Sequence, residues 1–469
     1  MTNPTHHLMT PRSSLLARRF SVACLSVALS AGAACHGSVT DALLTANNPD
    51  PIFPASVNSP EGATGVRLGA LGRMRSIAGG SESTWLFGGL LGDEWSTSST
   101  FIQNDEADER NISLNNSTVT GEYRTINQAR TYANQGIALM KTWLPLQTAN
   151  IGELYFVRGF AELTLAQDFC NGTPLSDGSS TALTLGLPIT NDAMFRVAMA
   201  SFDTAISIAT GNAALTVSIR NAAKVGKARA QLGINDYAAG ATTVGGIPTA
   251  FSYEVTFAPT SGDNILWAQP FSAQRYSVGD TSVRTSAGTF ITKPSINFAS
   301  AKDPRVPVTS DGGTSQDGSV ISFITTLWDQ STSIPVFNGI DARLIEAEAF
   351  LKAGDVTNWL ATLNALRASG TLTLGTISPV PVLAALTDPG AADVRVDLTF
   401  REKAFWTFSR GQRLSDMRRL IRQYGRDQSA VFPTGAHYRG VPYGKDVNLP
   451  VPTDEMNNPN FKGCIDRKA

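Results

Sequence analysis

The chain has 469 residues and a nearly balanced charge, with 38 lysines and arginines against 39 aspartates and glutamates. Charged residues make up only 16% of it, so no large basic field is available to hold a phosphate backbone, and nucleic-acid binding is disfavoured. Hydrophobic residues make up 42%, enough for a substantial core, and 41 glycines suit long loops and a neutral ligand.

The first residues have the pattern of an export signal. Three arginines between residues 12 and 19 precede an apolar or small run over 20–34, which is shorter than the about 20 residues that span a bilayer. This predicts a signal peptide over 1–34. The run ends in AGAAC, which predicts cleavage before Cys35, acylation of its thiol and a lipid-anchored tether over 35–60. The alternative is an ordinary secretory signal, with Cys35 an incidental thiol.

Helical spacing of apolar or small residues then dominates the chain. It is present in 62–77, 123–143, 151–169, 193–210, 220–232, 339–353, 356–368 and 398–424. Small residues such as Ala198 and Ala228 let neighbouring helices approach closely, as in tetratricopeptide-type helix pairs, although no clean period of about 34 residues is present. The sequence therefore predicts a mostly α fold with a tetratricopeptide-like helical-repeat core.

The composition changes between residues 240 and 338, where glycine, serine, threonine, proline and β-branched residues prevail. This texture predicts a loop-rich insertion with short strands. It would separate an N-terminal helical half, 61–239, from C-terminal helices and a tail, 339–469. We expect residues 61–469 to form a single domain, with the insertion displaying binding residues on a rigid helical frame.

Few residues are suited to catalysis. Once the signal is removed, His36 and His437 are the only histidines, and the chain has no H-E-x-x-H, G-x-S-x-G, Walker loop or paired C-x-x-C motif. The sequence therefore predicts no catalytic residue, no metal site and no cofactor. Carboxylates such as Asp93 and Glu94 could serve a glycosidase, but solvated loop acids have the same pattern.

The tryptophans are the better indication of function, because sugar rings present apolar C–H faces that stack on exposed aromatic rings. Three tryptophans in helical patterns are expected in the core: Trp143, Trp359 and Trp406. Four in loop-rich sequence are candidate ligand contacts: Trp85, Trp95, Trp267 and Trp328. Asp93 and Glu94 could accept hydroxyl hydrogen bonds beside the first two. The alternative for each tryptophan is packing, especially for Trp85, which Leu86 and Phe87 follow.

Two further cysteines remain after processing and acylation. Cys170 and Cys464 both lie in turn-like sequence, and an exported protein folds in an oxidising compartment. We predict that they form a disulfide, which would fasten the tail to the helical body. The alternative is two buried free thiols.

Several motifs, in order along the chain, resemble the SusD/RagB family of outer-membrane nutrient-binding lipoproteins. The first comprises Glu153, Phe156, Arg158, Gly159 and Phe160, followed by Gly172, Pro174 and Leu175. The second comprises Ala347, Glu348 and Ala349, followed by Leu363, Asn364 and Arg367. The third comprises Glu402, Gly411, Arg413, Asp416 and Arg419, and Asp303 to Arg305 also look familial. Arg413 and Asp416 are spaced to pair along a helix. Lys403, Trp406 and Arg410 depart from the family pattern, and the acidic residues lost at Trp406 and Arg410 put a family-type ion-pair network there in doubt.

The resemblance implies a protein that is lipid-anchored in the outer membrane and exposed at the cell surface. Such a protein captures an oligosaccharide or a peptide and passes it to a SusC-type TonB-dependent transporter, without making or breaking a bond. In this family the loops after the first helix help to build the binding face, which is where Trp85 and Trp95 lie. Two alternatives remain: a lipid-anchored glycoside hydrolase, and a helical-repeat scaffold that binds only proteins.

Overall fold

The computed structural model describes residues 57–80, 82–180, 183–292 and 294–469. The predicted signal peptide, Cys35 and the tether up to residue 56 lie outside these residues, so their assignments stay predictions. In the described part of the chain, no helix is both long enough and apolar enough to cross a membrane.

Helices make up most of the regular structure. Their bounds are α1 Pro60–Gly79, α2 Thr84–Leu91, α3 Ile102–Asp108, α4 Ser117–Trp143, α5 Thr148–Asp168, α6 Asn191–Ile208, α7 Ala214–Gly233, α8 Tyr237–Val244, α9 Ile265–Trp267, α10 Gly339–Ala353, α11 Val356–Ala368, α12 Ala392–Trp406 and α13 Arg413–Tyr424. A π-helical turn, Ala268–Ser272, continues α9. The mostly α prediction is confirmed.

The long helices pack against their neighbours in chain order. α4 packs on α1 and α5, α6 packs on α5 and α7, and α10 packs on α11. Small residues permit this close approach: a Cβ on Gly159 would come within 2.9 Å of the Phe202 ring, and one on Gly226 within 2.5 Å. The helical-repeat character is therefore built on close helix contacts, and Gly159 accommodates the Phe202 ring there.

The strands are short and form antiparallel pairs. Their bounds are β1 Trp95–Thr97, β2 Thr173–Pro174, β3 Pro188–Ile189, β4 Ser252–Val255, β5 Tyr276–Val278, β6 Ser282–Thr285, β7 Gly288–Ile291, β8 Val308–Thr309, β9 Ile324–Thr325 and β10 Ile334–Asn338. Within the described ranges, the pairs are β1 with β5, β2 with β3, β4 with β10, β6 with β7 and β8 with β9. The strands β4 to β10 lie between residues 252 and 338, in the part of the chain whose composition indicated short strands.

Two parts of the helical prediction are wrong. The segment 398–424 is not one helix, because the chain turns between α12 and α13, where Ser409 and Gly411 have φ of 59° and 64°. Gly411 also lies against Trp85, where a Cβ would come within 2.0 Å of the ring. The region after α1 is not all loop either, since it contains α2 and α3.

A network of buried ion pairs joins the motifs near the C-terminus. Glu348 accepts hydrogen bonds from Lys403 at 2.8 Å and from Arg419. Burial raises the pKa of Glu348, but Arg419 and Lys403 outweigh it and lower that pKa to about 2. Arg305 and Arg367 both bind Glu402, at 2.7 and 2.8 Å. An ion-pair network is therefore present in this region, and Lys403 takes part in it. Arg410, one of the two positions at which an acidic residue is lost, binds Asp341.

The predicted pairing of Arg413 with Asp416 is also wrong. Arg413 donates two hydrogen bonds to Asp93, at 2.6 and 2.8 Å, whereas Asp416 binds Lys403 at 2.8 Å and Arg419 at 3.1 Å. The spacing that permits a pair along a helix is overridden, because Asp93 reaches Arg413 from the turn after α2.

A disulfide fastens the C-terminal tail to the helical body. Cys170, just after α5, is joined to Cys464, with Cα atoms 6.1 Å apart. The tail contacts the same turn through Asn171, whose side chain donates to Asp466 at 2.9 Å. The two cysteines are 294 residues apart in the sequence, so the bond closes a long loop.

Candidate functional site

Trp85 and Trp95, the first candidates for ligand stacking, lie in the hydrophobic core. Their exposed fractions are 2% and 1%. The Trp85 ring fills the space beside Gly411, and the Trp95 ring packs 5.0 Å from Phe408 and edge-on to Tyr276 at 6.2 Å. The prediction that they are ligand contacts is therefore corrected: α2 and β1 fold the segment inward, and both rings stabilise the fold.

Asp93 and Glu94 are likewise buried, so neither is available to a sugar hydroxyl. Asp93 binds Arg413, and it also accepts a hydrogen bond from the backbone N–H of Ile296 at 2.8 Å. Glu94 accepts the backbone N–H of Ser409 at 2.8 Å. Burial raises the pKa of Glu94, which this hydrogen bond only partly offsets, and the result is a pKa of about 8. These carboxylates connect the turn after α2 to the turn before α13.

The other tryptophans divide differently from the expectation. Trp328 is buried, and its indole N–H donates to Ser409 at 2.8 Å, so it too is corrected to a structural residue. Trp359 and Trp406 are in the core as expected, but Trp143, at the end of α4, is 40% exposed. Of the four candidate ligand contacts, Trp267 alone is half-buried and not enclosed by the core.

A polar pocket of about 270 Å³ lies between the end of α1, the segment leading into α2 and the start of α4. Hydroxyl side chains line much of it: Ser76, Ser83, Thr84, Ser117, Thr118 and Thr125. Gly121 lies on the exposed side of α4 at this pocket, and a Cβ there would meet no atom within 4 Å. The missing side chain leaves space at the pocket, and the lining offers both donors and acceptors of hydrogen bonds.

Two carboxylates face this pocket. Glu122 projects from α4 and is only 6% exposed, yet neither of its carboxylate oxygens has a hydrogen-bond partner among the described residues. Glu82 accepts a hydrogen bond from the Tyr276 hydroxyl through Oε2, whereas its Oε1 has no partner in the described part of the chain. Such buried acceptors are rare in folded proteins, and each calls for an explanation.

The two carboxylates make the pocket electrostatically unusual. Burial raises the pKa of Glu122 well above its ordinary value, and Glu82 and Asp168 add to the rise. Burial also raises the pKa of Glu82, although the Tyr276 hydrogen bond and the charge of Arg275 oppose it. Strongly perturbed carboxylates in a cleft are physical indicators of a functional site.

An aromatic pair lies on the loop that leads into β5. The Trp267 and Phe271 rings are stacked, with centroids 6.2 Å apart and planes inclined by 22°. Phe271 lies in the π-helical turn that directly follows Trp267, and the Ala273 N–H donates to the Ala268 carbonyl at 2.8 Å across this turn. Phe271 is 39% exposed, so an open ring face is available for stacking.

Arg275 and Tyr276 connect this aromatic pair to the pocket. The backbone N–H of Arg275 donates to the Gln269 carbonyl at 2.9 Å, inside the π turn. Its guanidinium lies 4.0 Å from the ring centroid of Phe101, which is 43% exposed. The next residue, Tyr276, reaches Glu82 in the pocket. We call Phe101, Trp267, Phe271 and Arg275 the aromatic rim; the charge of Arg275 acts on Glu82 in the pocket.

The sequence contained one signal for this site that periodicity reveals. Glu122 lies on the stripe of α4 that includes Val119, Ile126 and Ala129, which are buried. A carboxylate at a core position of a helix is expensive unless it has a partner or a function. Phe101 and Phe271 gave no such signal, because single exposed aromatics are common in loops.

Within the described ranges, no three side chains of histidine, cysteine, aspartate or glutamate come together as a metal site. The pocket and rim combine hydrogen-bonding groups with flat apolar surface, which is the composition of a small-ligand site.

Solved structures share this fold across nearly the whole chain. A SusD-like carbohydrate-binding protein from Bacteroides fragilis superposes with a TM-score of 0.62, over 87% of this chain and 99% of its own, at 14% identity. A SusD superfamily protein from Parabacteroides distasonis gives 0.61, over 86% and 98%, also at 14% identity. A putative sugar-binding protein from Bacteroides vulgatus gives 0.56, over 87% and 99%, at 15% identity. No family model and no curated protein matches the sequence. The chain therefore has the SusD-like fold.

Proposed function

We propose that this protein binds saccharides in the pocket and on the aromatic rim. The observation that carries the proposal is a hydroxyl-lined cavity with partnerless buried carboxylate oxygens, which Tyr276 and Arg275 link to a pair of stacked rings. Sugars present hydroxyl donors and apolar C–H faces, which match these two surfaces. The fold supports the same conclusion, since proteins that share it are described as carbohydrate- or sugar-binding.

The wider role that we propose is capture at the cell surface and delivery to a TonB-dependent outer-membrane transporter. Its support is the N-terminal sequence, in which an apolar run and Cys35 have the pattern of a lipoprotein signal, and the family resemblance of the motifs. Cys35→Ser should release the protein from membranes, and mass spectrometry should find an acylated Cys35 in the parent. An unmodified N-terminus at another residue contradicts the anchor.

We propose binding without turnover. A lipid-anchored glycosidase is the rival, since Glu82 and Glu122 are paired acids in a cleft. Incubating each bound saccharide with the protein and analysing the products by mass spectrometry separates the two functions. Intact saccharide supports capture alone, whereas cleavage that Glu122→Gln abolishes supports the hydrolase.

Gly121 offers the most direct test of the pocket. Because a Cβ at Gly121 meets open space, Gly121→Leu should narrow the pocket without disturbing the core, and it should remove glycan-array binding. Gly65→Leu is the matched control, since Gly65 is also helical, exposed and free of contacts within 4 Å of an added Cβ. Equal binding by the two variants would place the saccharide site elsewhere.

A further inference from the structure

Glu122 differs from other buried carboxylates of this protein in the charges that surround it. Four of these have a cationic partner: Glu153 with Arg67, Glu162 with Arg130, Glu348 with Arg419, and Glu402 with Arg305. Asp168 and Glu94 have no ion pair in the described chain, but the charge of Arg418 acts on Asp168 and that of Arg413 acts on Glu94, whereas the charges that act on Glu122 are those of carboxylates. Glu122 forms no ion pair and accepts no hydrogen bond from any described residue, although it is 6% exposed. An uncompensated buried charge is costly, so burial raises the pKa of Glu122 and favours its neutral form, and a cation bound in the pocket would favour the ionised form.

Neighbouring carboxylates make the pocket around Glu122 more favourable for a cation. Glu82 faces it across the pocket, Tyr276 lies behind Glu82, and Asp168 acts on it from α5. Arg275 is close enough to act on Glu82, but its guanidinium lies over Phe101. The pocket thus holds two carboxylates whose only nearby cation is directed toward the rim in the described structure.

The free hydrogen-bonding capacity is that of an ammonium group. In their ionised forms Glu122 offers Oε1 and Oε2, and Glu82 offers Oε1, which gives three acceptor oxygens without a partner in the described chain. An ammonium has three N–H donors and a positive charge, whereas a sugar hydroxyl has one donor and no charge. Hydrogen bonds between charged groups are also about twice as strong as neutral ones.

We propose that the pocket recognises the free ammonium group of an amino sugar, with Glu122 and Glu82 as its acceptors and the aromatic rim contacting the sugar rings. This rests on the proposed saccharide-binding function and specifies its ligand class. The hydroxyl-lined wall then serves the neighbouring hydroxyls of the same saccharide. An N-acetyl group cannot replace the ammonium, because acylation removes the charge and two of the donors.

Three trisaccharides with the same β1,4-linked gluco backbone test this inference. They are the glucosamine trimer, the N-acetylglucosamine trimer and cellotriose, which carry an ammonium, an acetamide and a hydroxyl at the same carbon. Titration calorimetry near neutral pH should show the glucosamine trimer binding at least about tenfold more tightly than the other two, which corresponds to about 1.4 kcal/mol. The tighter binding of the glucosamine trimer should persist when a metal chelator is present.

Variants assign the preference to the carboxylates. Glu122→Gln keeps the shape and removes the charge, so it should bring the three affinities within about threefold of one another, and Glu82→Gln should do so in part. Glu61→Gln is the matched control, because Glu61 is exposed in the first turn of α1, at the far end of the helix that leads to the pocket. It should leave the preference unchanged. Thermal melting confirms that each variant is folded.

The possible results separate this inference from the function on which it rests. Equal binding of the three trisaccharides, or array binding confined to glycans without a free amine, overturns the ammonium proposal and leaves saccharide binding intact. Binding of amine-bearing peptides alone, or of Ca²⁺ alone in a way that Glu122→Gln removes, also overturns it. Absence of any saccharide binding contradicts both proposals.

Discussion

Replacing Glu94 by glutamine should change how the stability of this protein depends on pH. Burial raises the pKa of Glu94, its hydrogen bond from Ser409 offsets only part of the rise, and the pKa is about 8. In the unfolded chain the same carboxyl has its ordinary pKa near 4.5. Between these values the folded protein holds a proton that the unfolded chain releases, so raising the pH favours unfolding.

The size of the effect follows from this interval. Each pH unit within it lowers the free energy of unfolding by about 1.4 kcal/mol through Glu94 alone. From about pH 5 to pH 7 the parent should therefore lose about 2–3 kcal/mol that Glu94→Gln does not lose. Glutamine can still accept the Ser409 N–H through its amide oxygen, so the packing is preserved.

Urea unfolding at several pH values measures the difference directly. Other buried acids, such as Asp168, whose pKa burial raises to about 7, contribute equally to both proteins and cancel in the comparison. Glu61→Gln, at an exposed position, is the control and should parallel the parent. If the profiles of the parent and Glu94→Gln are parallel across the interval, Glu94 is ionised in the folded protein and its pKa is not raised by burial.

Four further changes have expected outcomes. Phe271→Ala should weaken saccharide binding by about 1–3 kcal/mol, measured by calorimetry, with an unchanged melting temperature; unchanged affinity would remove Phe271 from the site. Trp95→Ala should lower the free energy of unfolding by about 3–5 kcal/mol, and a folded variant with full stability but lost binding would contradict its structural role. Glu348→Ala should cost about 3–5 kcal/mol in urea unfolding, because Lys403 and Arg419 are left buried without it; a neutral result would show that the pair contributes nothing. Replacing Cys464 by serine should cost about 3–5 kcal/mol in the entropic account, and free thiols in unreduced, denatured parent would show that the bond is absent.

The ion pairs of Glu348 also predict a loss of stability in acid. Because Arg419 and Lys403 hold the pKa of Glu348 at about 2, below its ordinary value, this contribution is complete above the unfolded pKa and disappears as the pH falls toward 2. Glu348→Gln should remove that component, so its stability should change less than that of the parent in urea unfolding between about pH 4.5 and pH 2. Parallel profiles would show that Glu348 is not ionised in the fold.

Periodicity predicted much of the fold, because an apolar stripe at helical spacing is local information. The stretch 123–143 is helical within α4, and 356–368 coincides with α11. The break at Ser409 and Gly411 was missed because it depends on tertiary contacts, namely Trp85 against Gly411 and Glu94 against the Ser409 N–H. A local sequence pattern carries no information about such tertiary contacts.

The site was less accessible to sequence reasoning. The sequence around Trp95 has the composition of an exposed loop. Only the packing of its ring against Phe408 and Tyr276 shows that it belongs to the core. The sequence identified Trp267 as a candidate ligand contact. No residue pattern predicts the π-helical turn that holds Phe271 beside it. Glu122 could have been found, since it is an acid on the buried stripe of a helix.

The most direct test of saccharide binding at this site is a crystal structure of the protein with a trisaccharide that it binds. We expect sugar rings against the Trp267 and Phe271 pair, with polar groups of the ligand within hydrogen-bond distance of Glu122. Saccharide bound at another surface, with the pocket and the rim unoccupied, would show that this is not the binding site.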